Sequence, residues 1–265
     1  MTKFSVQAVP ALKDNYVWLI RAKNSAHVIV IDPGDEKPVI EAIRHQGLIP
    51  VAIIITHHHY DHVDGIEPFL EHFQVPVYGP ANELIPAVSH PLLPSDNLSI
   101  QKNFPSCQVI AVPGHTNGHL AYLFGDSLFC GDTLFSAGCG RLLGGTYSQL
   151  FTSLKYISSL PLKTKIYCAH EYTANNLKFS RTVEPDNIEV QQRLEFVDRL
   201  RAENKITLPS TLEIELATNP FLRCQEPNVV SAAEQYTSRN LVSELAVFTV
   251  LRQWKDNFNS STISC

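Results

Sequence analysis

VAIIITHHHYDHVDG, residues 51–65, is a short apolar run that passes directly into four histidines and two aspartates. Five consecutive apolar residues rich in β-branched side chains read as a buried strand. Polar residues at the end of such a strand fall on the rim of a sheet, where loops carry function. Residues two apart in extended chain point the same way, so His57 and His59 can face one cation while His58 turns aside. Asp61 and His62 fall where a helix would begin and can diverge toward a second cation. Imidazole combined with carboxylate suits zinc or iron, whereas calcium and magnesium sites are built mainly from oxygen.

Four ligands within six residues are too crowded for one tetrahedral site, so further donors are expected from elsewhere in the chain. Three apolar runs stop in the same manner: at His115 in VPGHTNGHL, at Asp132 in LFCGDTLF and at His170 in YCAHEYT. His119, opening a strand after a turn, reads as a hydrogen-bonding support for a ligand imidazole. Asp32 in the DPG turn and Asp64 in VDG read as turn residues, and Cys130 as a small buried apolar residue.

Around this segment the chain alternates in short strands. FSVQAV, NYVWLIRA and HVIVID precede a helix near EKPVIEAIRHQ and the strand VAIIIT. From about residue 98 the style returns in LSI, CQVIAV, HLAYLFG and SLFCGD, followed by a helix near SQLFTSLKYISSL and the strand KIYCAH. Two strand-rich halves that each carry helices predict an α+β fold, an αββα sandwich of two sheets packed face to face. Beyond His170 the spacing becomes helical, at Ile188, Leu194, Val197 and Leu200 and again at Leu241, Leu245, Phe248, Leu251 and Phe258. The expected organisation is a catalytic domain over 1–172 and an α-helical, substrate-binding domain over 173–265, docked without a flexible linker.

The 265 residues carry 21 Lys and Arg against 26 Asp and Glu, a net charge of −5, with no long basic run. That balance argues against a nucleic-acid partner. No apolar run approaches the roughly 20 residues needed to span a bilayer, and MTKFSVQAVPALKDNY contains no apolar signal core, so a cytoplasmic protein without membrane attachment is expected. The six cysteines (Cys107, Cys130, Cys139, Cys168, Cys224 and Cys265) form no CxxC pair and suit free thiols in a reducing compartment.

The THHHYDH string, with the later PGHTNGH, CGD and AHEYT segments, resembles the metallo-β-lactamase superfamily, and the order of the motifs resembles glyoxalase II, the hydroxyacylglutathione hydrolases, of bacterial type. The resemblance implies that His57, His59 and His115 hold one metal, that Asp61, His62 and His170 hold the other, and that Asp132 bridges them. Two divalent ions per chain are implied, zinc foremost, with iron or manganese as alternatives. Asp61 and Asp132 would then act in catalysis through the ions, with a shared hydroxide as nucleophile.

LKDNYVWLI, CGDTLFSAGCGRLLGGT, KITLPSTL, NPFLR and LRQWKD extend the similarity over nearly the whole chain. The family holds glutathione with basic residues and a tyrosine, and the matching positions are Arg141, Tyr172, Arg252 and Lys255. Arg141 stands where many eukaryotic relatives carry Lys, and Leu142 and Leu143 replace an aromatic pair. The implied reaction is hydrolysis of S-D-lactoylglutathione to D-lactate and glutathione, the second step of methylglyoxal detoxification, by a monomer whose partner is the small thioester. A lactonase or β-lactamase of the same fold is the rival reading, and a non-enzymatic binding module a more distant one.

Overall fold

The computed structural model describes residues 4–258. The first sheet is built from β1 (Phe4–Ala11), β2 (Asn15–Ala22), β3 (His27–Ile31), β4 (Ile49–Ile54), β5 (Val77–Pro80) and β6 (His90–Leu92), paired in that order. α1 (Glu36–His45) crosses between the parallel strands β3 and β4, and the short α2 (Tyr60–Val63) and α3 (Ile66–His72) follow β4. The second sheet contains β7 (Asn97–Leu98), β8 (Cys107–Ala111), β9 (Leu120–Phe124) and β10 (Ser127–Gly131). The hairpin β11 (Leu134–Phe135) and β12 (Gly138–Cys139), then α4 (Tyr147–Ser158), lead to β13 (Lys165–Cys168).

Alternation along β2 divides the two cores. Trp18 and Ile20 pack with Ile29, Ile54 and second-sheet residues such as Val109 and Tyr122. Val17 and Leu19 face the other way, against Val39 and Ile43 of α1 and Phe69 of α3. The period of two is therefore the period of a sheet buried on both faces. Tyr122 donates its hydroxyl to Ile55 O at 2.6 Å, and Trp18 donates Nε1–H to Cys168 O at 3.0 Å, so buried aromatics tie the sheets together by their polar tips.

The remainder is helical: α5 (Thr173–Val183), α6 (Ile188–Ala202), α7 (Leu212–Thr218), a 3-10 turn at Pro220–Leu222, α8 (Pro227–Thr237) and α9 (Glu244–Asp256). This part also returns a two-residue strand, β14 (Ser210–Thr211), to the edge of the second sheet beside β13. Its docking is polar as well as apolar. Fully buried Glu215 accepts from Ala137 N at 2.7 Å, and Asn219 Nδ2 donates to Gly138 O at 2.9 Å, fixing the β11–β12 hairpin.

Several expectations require correction. The strand near LSI is confined to Asn97–Leu98. Leu241 precedes α9 and Phe258 follows it, while Ile188 opens α6 with 53% of its surface exposed. Cys107, Cys130, Cys139, Cys168 and Cys224 are free and buried; Cys265 lies outside the described residues. No helix among the described residues is long and apolar enough to cross a membrane.

Candidate active site

The rim of the sandwich collects every predicted ligand. β4 runs out at Ile54 and delivers His57 and His59; α2 then carries Asp61 and His62. His115 stands in the loop between β8 and β9. β10 ends in Gly131, whose φ of +48° turns the chain at a register shift against β13 and presents Asp132. A side chain at Gly131 would stand 2.5 Å from Thr56 Oγ1 and 2.8 Å from the His119 ring, so glycine is required there by space as well as by backbone. His170 follows β13, held to the rim because Tyr16 N donates to Ala169 O at 2.7 Å and Glu171 N to Asp14 O at 2.9 Å.

The candidate donor atoms fall into two clusters. His57 Nε2 and His115 Nε2 lie 3.0 and 2.9 Å from His59 Nδ1. His170 Nε2 lies 3.4 Å from Asp61 Oδ2, and His62 Nε2 lies 3.7 Å from the same oxygen. Asp132 stands between them, with Oδ1 at 3.3 Å from His170 Nε2 and 3.5 Å from His62 Nε2, and Oδ2 at 3.5 Å from His115 Nε2.

Hydrogen bonds behind the rings fix the tautomers. His115 Nδ1 donates to Arg141 O at 2.8 Å, His62 Nδ1 to Asp32 Oδ2 at 3.0 Å and His170 Nδ1 to Asp14 Oδ1 at 2.8 Å, because each partner can only accept. Thr56 donates its hydroxyl to Asp32 Oδ2 at 2.7 Å, which leaves its oxygen to accept from His57 Nδ1 at 3.0 Å. In their neutral forms these four imidazoles therefore aim Nε2 lone pairs inward. Asn15 Nδ2 donates to Asp61 Oδ2 at 3.0 Å. His119 accepts from Asp132 N at 3.2 Å through Nε2 and stacks on His57, so that ring is occupied in orienting its neighbours. His58 turns outward to Glu83.

The donor set fits divalent cations. The ring nitrogens of His57, His59 and His115 lie within 4.8 Å of one another, and the buried atoms His62 Nε2 and Asp132 Oδ1 have no hydrogen-bond partner. Burial opposes charge on His62, yet Asp132 and Asp32 outweigh it and push its pKa up to about 10. His170, likewise buried, is pushed up to about 11, chiefly by Asp132. Burial acts to raise Asp132, but His170 and His62 hold it well below the usual carboxylate range. The carboxylates thus require positive charge at this point, which a cation supplies directly.

A cavity of about 530 Å3 opens over the ligands. Tyr172 forms one wall, stacked on His170 with ring centroids 4.7 Å apart. Burial and the neighbouring Asp14 raise its phenol pKa, so it remains a donor. Arg141, Arg252, Lys255 and Asp256 line another part. Arg252 is 3% exposed and donates to Cys139 O at 2.8 Å and to Asp256 Oδ1 at 3.0 Å. The Arg141 side chain is 74% exposed, with Nε 4.0 Å from the same Asp256 oxygen.

Asp32 was expected to serve the turn alone. It does have a φ of +51°, but its carboxylate orients both Thr56 and His62. Asp14, Asn15 and Glu83 also support ligand-bearing segments and carried no signal beyond being polar residues beside turns. Asp64 is exposed at the end of α2, and Cys130 is fully buried.

Comparison with known proteins identifies the family and the fold. Residues 171–258 match the model of the hydroxyacylglutathione hydrolase C-terminus, and residues 12–96 match that of the metallo-beta-lactamase superfamily. A hydroxyacylglutathione hydrolase of Nitrosomonas europaea is 45% identical over 97% of this chain and 98% of its own length. One of Aliivibrio fischeri is 48% identical over 96% and 99% respectively. Among solved structures, the BLEG-1 B3 metallo-beta-lactamase shares the fold at a TM-score of 0.62 and 23% identity, covering 82% of this chain and 99% of its own. The di-iron-bound form of TTHA1623 aligns at 0.57 with 28% identity, covering 81% and 98%.

Proposed function

Since the chain belongs to the hydroxyacylglutathione hydrolase family, and is a thioester hydrolase that binds divalent metal on the metallo-beta-lactamase fold, we propose how its own residues perform the hydrolysis. His57, His59 and His115 hold one ion, Asp61, His62 and His170 hold a second, and Asp132 serves both. The observation that carries this reading is the division of Asp132, whose two oxygens face different donor clusters. The di-iron-bound relative supports the count of two. Zinc is the proposed metal, with iron or manganese accepted by the same nitrogen and oxygen donors.

Bound cations would lower the pKa of a water so that hydroxide is available near neutral pH, and would polarise the acyl carbonyl. Asp132 and Asp61 act in catalysis by holding those charges in place. Arg141, Arg252 and Lys255 receive the carboxylates of glutathione, for which guanidinium is suited by its paired donors. Tyr172, kept protonated by burial and Asp14, donates to the peptide part of the substrate. The leaving thiol has a reference pKa of about 8.5, so thiolate departs without strong help from a general acid.

The proposed division places the catalytic part at 1–172 and the substrate-binding part at 173–265, meeting at Tyr172, the residue before α5. We propose that the protein acts as a monomer. The free buried cysteines support a cytoplasmic setting. The test is hydrolysis of S-D-lactoylglutathione by metal-quantified protein, beside a β-lactam and a lactone. Two ions per chain with preference for the glutathione thioester is the expected result; full activity with one ion would overturn the paired-ion reading.

A further inference from the structure

Glu83, in the turn after β5, lies outside both donor clusters, yet its carboxylate joins two of the segments that form them. Oε2 accepts from His58 N at 2.7 Å and from His58 Nδ1 at 2.8 Å. Oε1 accepts from Gly118 N at 3.0 Å and from the Thr116 hydroxyl. The Glu83 side chain is 3% exposed, and these four donors occupy the acceptor capacity of a carboxylate. His58 lies between His57 and His59, and Thr116 follows His115. One buried group therefore fastens the segment bearing two ligands to the segment bearing the third.

Gly118 makes room for the contact. A Cβ at that position would stand 2.5 Å from Glu83 Cγ and 3.1 Å from Oε1, while its φ lies outside the left-handed region. Glycine is required there by the approach of Glu83, not by its own backbone.

The ligands differ in how much they need this fastening. His57 is backed by Thr56, His115 by Arg141 O, and Asp61, His62 and His170 by Asn15, Asp32 and Asp14. Among the described residues, the His59 ring has hydrogen bonds only to His57 and His115, within the cluster itself. Its place is set by the backbone of 57–59, and the side chain that anchors that backbone is Glu83.

We infer that Glu83 is a positioning residue for the ion held by His57, His59 and His115, and only indirectly for the other; this rests on the ligand sets proposed above. The test is titration of metal-free protein with zinc against a chromophoric chelator, with His59→Ala and Asp61→Ala assigning the two binding steps. Glu83→Ala is expected to weaken the step lost in His59→Ala by about 10- to 100-fold, the effect typical of removing an outer support, and to change the other step by less than about threefold. KM for the thioester should stay unchanged. Gly118→Ala should weaken the same step by displacing Glu83, and adding it to Glu83→Ala should cost nothing further, because the clash is with that side chain. Glu83→Gln, which keeps the shape and one oxygen, carries the test where Glu83→Ala does not fold. Equal weakening of both steps, or of neither, would overturn the assignment while leaving the ligands standing. A wild-type chain that binds fewer than two ions would overturn the ligand reading and this inference with it.

Discussion

Asp32 Oδ2 and His62 Nδ1 stand 3.0 Å apart, both buried, joining the end of β3 to the start of α2. The same carboxylate accepts from Thr56 N at 2.7 Å and from the Thr56 hydroxyl, which in turn supports His57. Asp32 therefore orients one imidazole in each donor cluster. Asp32→Ala is expected to weaken both ions by about 10- to 100-fold, unlike a change at Glu83, which acts on one. Competitive chelator titration reads this directly. Unaltered affinity would mean that packing alone orients the rings.

Asp132→Ala should abolish turnover and lower the content of both ions together, because one side chain serves two clusters. Loss of several kcal/mol of electrostatic help corresponds to a fall of about a thousandfold or more in kcat. Thermal unfolding supplies an independent check. A ligand present at a thousand times its Kd stabilises by about 4 kcal/mol, so chelation should lower the wild-type Tm by several degrees and leave the Asp132→Ala variant almost unmoved. Retention of normal metal content in the variant would remove the bridging role.

The candidate donors are legible in the sequence because their signals are local: an apolar run ends and a donor follows. The supports are not. Asp14, Asn15, Asp32 and Glu83 acquire their roles only when separate rims of the sandwich meet, and a turn aspartate looks the same whether or not an imidazole lies behind it. β5 and β6 have weak signals because they are short and carry Pro80 and Pro91, residues that disfavour a strand. The burial of Arg252 has no local signal, since it depends on α9 packing Phe248 against Phe221, with the guanidinium of Arg252 over the same ring.

Arg252 and Arg141 line the same cavity but should respond differently. Arg252 is buried and holds Cys139 O and Asp256, so Arg252→Ala is expected to raise KM by about tenfold or more and to lower stability by about 1.5–3 kcal/mol, the usual worth of hydrogen bonds to a charged group. Arg141 is largely exposed, so Arg141→Ala should raise KM with no change in Tm. In both, kcat should change less than KM, the mark of binding lost equally from ground and transition states. Steady-state kinetics beside thermal unfolding separates the pair, and an unchanged KM in either variant removes that residue from the glutathione site.

Lys255 gives the site a pH dependence of definite sign. Burial, and then the charge of Arg252, lower its pKa to about 8, while Phe179 and Phe258 stand 5.4 and 5.3 Å from Nζ. The ammonium is charged below that value and neutral above it, so attraction for a substrate carboxylate is complete below about pH 8 and is lost as pH rises through it. Since kcat/KM reports the free enzyme, it should fall on an alkaline limb near pH 8. In the complex the bound carboxylate favours the charged form and raises the pKa, so kcat should show no limb there. Lys255→Arg keeps its charge throughout and should flatten the kcat/KM profile. Lys255→Ala should be weak at every pH, with KM raised about tenfold at pH 7 and no limb near 8. A limb that survives in Lys255→Arg would assign the titration to another group.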